Sequence, residues 1–162
     1  MTTPLSAKPH DHDRCIEDAI TAAEQICVRK GVRLTDLRRR VLELIWQSHK
    51  PVTAYDLLDR LKKDKRNAAP PTVYRALDFL RENGLVHRLH SLNAFLGCNH
   101  PEDVHRGGFL ICTNCHAVTE ICDSALLRDA IVAEATSRDF QITGTMVEIM
   151  GRCSSCRASM DA

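Results

Sequence analysis

Through the first eighty residues, apolar side chains return every three to four positions between short polar breaks. Ile16, Ile20, Ala23 and Cys27 form the first stripe and predict a helix over 14–28, closed by Gly31. Thr35 is a good N-cap for a second helix, Asp36 to His49, whose apolar face is Val41, Leu42, Leu44, Ile45 and Trp46. Pro51-Val-Thr53 breaks the pattern, and Thr53 caps a third helix over Ala54 to Lys65, with Leu57, Leu58 and Leu61 inward. Pro70 and Pro71 fit a first helical turn, where a missing N–H costs nothing, and lead into a fourth helix over Thr72 to Asn83. Its buried stripe is Val73, Ala76, Leu77 and Leu80, and Gly84 stops it.

After Gly84 the pattern shortens. Leu85 to His90 and Ala94 to Cys98 read as two strands around the turn Ser91-Leu-Asn93. Two short helices joined by a turn and followed by a hairpin make a winged helix-turn-helix. Residues 99–106 form a polar hinge. Beyond it, Gly108 to Cys112 and Val118 to Ile121 read as strands, and Ser124 to Ser137 as a helix with Leu126, Leu127, Ala130, Ile131 and Ala135 apolar. Phe140 to Met150 alternates and predicts a longer strand. The expected fold class is α+β: a winged-helix DNA-binding domain over 14–98, the hinge, and an α/β dimerisation and zinc-binding domain over 107–162. An exposed strand edge in the second domain can pair with a twin, giving a homodimer. Residues 1–13 carry no apolar signal core and read as a disordered tail.

Composition narrows the compartment and the chemistry. The chain has 162 residues and is 44% hydrophobic but only 4% aromatic, so its core must be largely aliphatic. No apolar run approaches the roughly 20 residues of a membrane span. Four of the eight cysteines fall in Cys-x-x-Cys pairs with no signal peptide ahead of them, which favours reduced thiols in a cytoplasmic metalloprotein over a secreted disulfide framework. The formal charge of +1 conceals an asymmetry: residues 1–98 hold 17 Lys and Arg against 12 Asp and Glu, whereas 99–162 hold 5 against 9. A basic first half favours a polyanionic partner there.

The metal-binding residue types concentrate between His87 and Glu120. Cys112-Thr-Asn-Cys115 and Cys153-Ser-Ser-Cys156 are two knuckles separated by a foldable segment, the spacing of a four-thiolate zinc site. Such a shell leaves no open position, so it is structural rather than catalytic. His87, Cys98, His105 and Glu120 offer two imidazoles, a thiolate and a carboxylate for a second, regulatory zinc, with His90, His100, His116 and Cys122 as rival donors. Two zinc ions per subunit follow. A zinc deaminase would carry Pro-Cys-x-x-Cys, but Ile111 and Arg152 precede the two pairs here. No enzyme activity and no small-molecule substrate are expected.

At the start of the fourth helix, Thr72, Tyr74 and Arg75 fall off the apolar stripe, where a recognition helix presents side chains to double-stranded DNA. Arg75 is placed to read guanine, and Tyr55, opening the third helix, to touch backbone or a thymine methyl. Arg38, Arg39 and Arg40 form either a solvated face or a phosphate-contacting edge.

The chain resembles the ferric-uptake-regulator superfamily, and within it the zinc uptake regulators. The resemblance spans residues 14–156. It rests on Arg33-Leu-Thr, Ala54-Tyr-Asp-Leu-Leu58, Pro70-Pro-Thr-Val-Tyr-Arg-Ala-Leu-Asp-Phe-Leu80, Gly84-Leu-Val-His87, Phe109-Leu-Ile-Cys-Thr-Asn-Cys115 with Val118 and Glu120, and the terminal Cys153-x-x-Cys156. It implies a cytoplasmic dimeric repressor that binds an AT-rich palindromic operator when zinc fills the regulatory site, and so silences zinc-uptake genes. It places structural zinc on Cys112, Cys115, Cys153 and Cys156, regulatory zinc on His87, Cys98, His105 and Glu120, and base contacts on Tyr55 and Arg75. The alternative is an iron- or peroxide-responsive regulator of the same superfamily. Those sensors carry a His-His-Asp-His run before the first Cys-x-x-Cys, where this chain reads Arg106-Gly-Gly-Phe109.

Overall fold

The structure is a computed structural model that describes residues 12–48, 50–64, 69–102, 108–121 and 124–158. The chain divides into two compact units at Glu102. The first contains α1 (His12–Arg29), α2 (Asp36–Trp46), β1 (Val52–Thr53), α3 (Ala54–Asp64), α4 (Pro70–Glu82), β2 (Val86–Leu89) and β3 (Ala94–Gly97). The second contains β4 (Gly108–Cys112), β5 (Val118–Ile121), α5 (Ala125–Thr136), β6 (Glu148–Gly151) and α6 (Ser154–Ala158).

In the first unit the expected apolar stripes are the core. Val41, Leu42, Leu44, Ile45 and Trp46 of α2, Leu57, Leu58 and Leu61 of α3, and Val73, Ala76, Leu77 and Leu80 of α4 are all buried. The helix pattern lengthens in one place and shortens in another. α4 begins two residues earlier than the stripe suggests, because Pro70 and Pro71 serve as its first turn. α2 ends at Trp46 with Gln47 as its cap, short of His49, which lies outside the described residues, as does Lys65 at the end of α3.

Gly84 turns the chain from α4 into β2. Its φ of +77° suits glycine, and the Leu85 N–H reaches back to Leu80 O at 2.9 Å while the Gly84 N–H meets Arg81 O at 3.0 Å. Leu85, buried beside Leu80, then runs into the hairpin. The sheet order is β1-β3-β2, all antiparallel, with His87 opposite Leu96 and Val52 opposite Phe95. β1 has only two residues and was expected to be a break; its pairing with β3, not any local periodicity, makes it a strand. At Gly97 an added Cβ would stand 2.5 Å from Trp46 Cε2, so the indole packs directly on the β3 backbone.

The arginine run on α2 fastens helices together. The Arg38 guanidinium lies 3.5 Å from the centroid of the Phe79 ring on α4 and donates to Arg33 O at 2.6 Å. Arg39 pairs with Glu24 of α1. Arg40 bridges Asp64 of α3 at 2.6 Å and Glu43 at 3.1 Å. All three guanidinium groups are thus engaged within the unit, and the phosphate-edge reading of this run gives way to a packing role. These pairs are partly exposed, so each contributes modestly.

The second unit is a three-stranded sheet, order β5-β4-β6, with β4–β5 antiparallel and β4–β6 parallel. The long strand expected over Phe140 to Met150 contracts to Glu148–Gly151. A strand lasts only as long as its partner: β4 offers five residues, and its pairs with β6 run from Phe109↔Glu148 to Cys112↔Gly151. Ser124 caps α5, its hydroxyl accepting the Leu127 N–H at 3.3 Å. The apolar stripe expected on α5 forms, yet no residue of that helix is buried, and Leu126 is 86% exposed. α6, starting between the last two cysteines, had no signal in the periodicity.

Thr53 and Asp56 form a reciprocal cap on α3. Thr53 Oγ1 accepts the Asp56 N–H at 3.2 Å, and Asp56 Oδ2 accepts both the Thr53 N–H at 3.2 Å and the Thr53 hydroxyl at 2.7 Å. The bonds from Thr53, side chain first and backbone second, hold the Asp56 carboxyl below its ordinary value of 3.8. A carboxylate depressed on folding stabilises the fold above its unfolded pKa, and that contribution fades as pH falls through the folded value. Thr53→Ala should therefore cost about 1 kcal/mol in urea denaturation at pH 7. The penalty relative to the parent should shrink when the same measurement is repeated below the folded pKa of Asp56.

Candidate metal centre and nucleic-acid face

Parallel pairing of β4 and β6 builds the metal centre. Cys112 ends β4 opposite Gly151, and Cys153 follows two residues later, so the two knuckles leave the sheet side by side. The Thr113 N–H and hydroxyl both donate to Gly151 O, at 2.8 and 3.2 Å, tying the first knuckle to the start of the second. One ligand atom from each of Cys112, Cys115, Cys153 and Cys156 lies within 4.8 Å of all the others. Cys115 Sγ and Cys153 Sγ are 3.8 Å apart. That is the sulfur–sulfur edge of a tetrahedron with metal–sulfur bonds of about 2.3 Å, the zinc–thiolate length. It is far beyond the roughly 2.05 Å of a disulfide.

The thiols differ sharply in acidity. Backbone N–H groups of Cys115, Cys153 and Asn114 pull Cys112 down to about 6. Cys156 is pushed up to about 11: the Asn114 amide lowers it, but the crowding thiols of Cys153, Cys115 and Cys112, together with burial, raise it. Four sulfurs this close cannot all ionise unaided, and a divalent cation among them removes the conflict. The cluster fits a tetrahedral thiophilic metal. The Asn114 carboxamide, donating to Cys156 Sγ at 3.2 Å across 42 residues, was not visible in the sequence. The one available signal was an amide side chain inside the knuckle.

The other predicted donors are distributed. His87, half-buried on β2, stands opposite Leu96, and Cys98 lies two residues beyond Leu96, so the two are diagonal neighbours on one face of the hairpin. The Cys98 N–H donates to Leu85 O at 3.1 Å, and Cys98 lines a cleft of about 380 Å³ with Trp46, Leu85 and Pro101. Glu120 belongs to the second unit, on β5 opposite Phe109. His105 lies outside the described residues, as does the rival Cys122. Cys15 and Cys27 pack against the helical core of the first unit, apart from the cluster.

The first turns of α3 and α4 carry the expected exposed side chains. Tyr55 is 70% exposed and Tyr74 46%, and Thr72 and Arg75 are also exposed, while Val73, Ala76 and Leu77 between and beyond them are buried. Arg75 makes no ion pair among the described residues, in contrast to Arg39 and Arg40. α4 therefore presents an uncommitted guanidinium on a helix whose other face is locked in the core.

A family model for the ferric uptake regulator family matches residues 29–150. The zinc uptake regulation protein of Escherichia coli strain K12 is 38% identical over 141 residues, 86% of this chain and 82% of the relative. The chain belongs to the ferric uptake regulator family. Among solved structures, a zinc uptake regulator complexed with zinc and DNA matches with a TM-score of 0.85 at 36% identity, covering 91% of this chain and 98% of that one. Holo XcZur matches with a TM-score of 0.77 at 44% identity, covering 86% and 96%. Both the winged-helix unit and the small α/β unit of this ferric uptake regulator family member fall within those matches.

Cys153→Ser should lower the metal content by one ion per chain on elemental analysis. Metal binding is folding energy in small units of this kind. Amide hydrogens of β4 should thus lose exchange protection, while those of α2 and α4 keep it.

Proposed function

We propose that this chain is a zinc-responsive transcriptional repressor that binds operator DNA as a homodimer and thereby shuts off zinc-uptake genes. The observation that carries this reading is the likeness, over nearly the whole chain, to a zinc uptake regulator complexed with zinc and DNA. The four-cysteine cluster supplies the structural zinc site of each subunit. His87, Cys98, His105 and Glu120 hold the second, regulatory zinc. Two imidazoles, a thiolate and a carboxylate suit tetrahedral zinc, and the soft Cys98 sulfur favours zinc over iron.

In this reading, zinc bound by this set raises the affinity of the chain for operator DNA. Coupling of this kind is reciprocal: operator DNA raises the affinity for regulatory zinc by the factor that zinc raises the affinity for DNA. Tyr55, Thr72, Tyr74 and Arg75 form the DNA contacts, with Arg75 reading a base edge and the others positioning α3 and α4 on the groove. A second copy covers the apolar groups that one chain leaves open on its second unit. Leu126, Phe140, Met146 and Met150 are more than half exposed, and among the described residues β6 has a strand neighbour on one side only. No helix among the described residues is long and apolar enough to cross a membrane, and a DNA target places the protein in the cytoplasm.

Arg75→Ala should weaken operator binding by about 1–3 kcal/mol and erode discrimination against non-operator DNA, read by fluorescence anisotropy at fixed salt. Unchanged discrimination would remove Arg75 from base readout. Cys98→Ser should leave the dimer and one tightly held zinc per chain in place while abolishing the gain in operator affinity on adding zinc. A titration against buffered free zinc, iron and manganese reads that outcome. A Cys98→Ser protein still switched by zinc would move the regulatory site elsewhere.

A further inference from the structure

The two knuckles exchange hydrogen bonds in opposite directions. The Cys153 N–H, in the second knuckle, donates to Cys112 Sγ at 3.4 Å. The Asn114 Nδ2, in the first knuckle, donates to Cys156 Sγ at 3.2 Å. The first of these is a backbone bond that any residue at that position supplies. The second depends on a single side chain, and that side chain is held in place because Thr113 is anchored to Gly151 by two bonds. Asn114 is itself exposed, so nothing in the packing of the core calls for a carboxamide there.

A donor aimed at a metal-bound thiolate withdraws electron density from the sulfur. It makes the sulfur a poorer nucleophile toward electrophiles and fixes its orientation toward the metal. We propose that Asn114 is the positioning residue of the four-cysteine site: its carboxamide quiets the Cys156 thiolate and so sets how slowly the site surrenders its metal to thiol-reactive electrophiles. This rests on the reading that the four cysteines hold zinc. Without the donor, the Cys156 thiolate is more nucleophilic than in the parent. An α,β-unsaturated carbonyl such as a maleimide then forms a C–S bond to it, the C=C bond takes up a proton from water, and the site loses one ligand.

The test uses full-length, zinc-loaded protein with N-ethylmaleimide and a chromogenic chelator reporting zinc release, and peptide mass mapping to order labelling among Cys112, Cys115, Cys153 and Cys156. Asn114→Leu keeps the side-chain size without the donor, and Asn114→Ala removes both. Both variants should start with the parent's zinc content, release zinc about 10-fold faster, and show Cys156 labelled earlier than in the parent. With cobalt(II) in place of zinc, the sulfur-to-metal charge-transfer band should move to lower energy in both, a change that a purely structural role would not produce. Release at the parental rate in Asn114→Leu, unchanged labelling of Cys156 in both variants, or loss of zinc from both variants before reagent is added would each overturn the proposal. A parent protein that holds no zinc on these four cysteines would instead overturn the underlying metal-site reading.

Discussion

Four sulfur ligands held within 4.8 Å of one another impose the constraint on which the second unit depends. Its other resources are thin. Among the described residues, apart from the cysteines, it buries little beyond Phe109 and Ile111, and α5 buries nothing. The cluster of buried side chains at this end of the sheet consists of Cys112, Cys153 and Cys156, with Cys115 and Ala117 against it. A unit this small gathers little apolar area, and a metal on the four sulfurs would add folding energy beyond hydrophobic burial. The parallel pairing of β4 and β6 matters because it brings two knuckles, 38 residues apart in sequence at Cys115 and Cys153, to one point.

The first unit is built on the opposite economy. Its core is aliphatic and continuous through α1 to α4 and the hairpin, and its charged groups hold the helices in register from outside. Arg38, Arg39 and Arg40 each reach a different helix, so the basic run that looked available for a polyanion serves the packing of the reading head. What remains uncommitted is the face made by Tyr55, Thr72, Tyr74 and Arg75. The cap from Thr53 and Asp56 fixes where α3 begins, one residue before Tyr55, and thus where that aromatic ring stands relative to α4.

The parts legible in the sequence were those governed by local spacing. The stripes of α2, α3 and α4 obey the helical period, and each Cys-x-x-Cys has the reach of one knuckle, so both could be read residue by residue. Features set by distant partners were hidden. β1 exists because β3 lies beside it. The strand over Phe140 to Met150 was read too long because alternation says which side chains share a face, while pairing with β4 decides how many residues are strand. The α5 stripe was read correctly as apolar, but nothing among the described residues buries it. The Asn114 contact crosses 42 residues and left only an amide in a knuckle as its trace.

The contact between Trp46 and Gly97 has one more consequence. Trp46 is the only tryptophan in the chain, and its indole rests on the backbone immediately ahead of Cys98. A shift of that strand end changes the polarity and quenching around a single indole, which red-edge excitation separates from the two tyrosines. The protein thus carries its own optical gauge of Cys98, readable in the unlabelled chain.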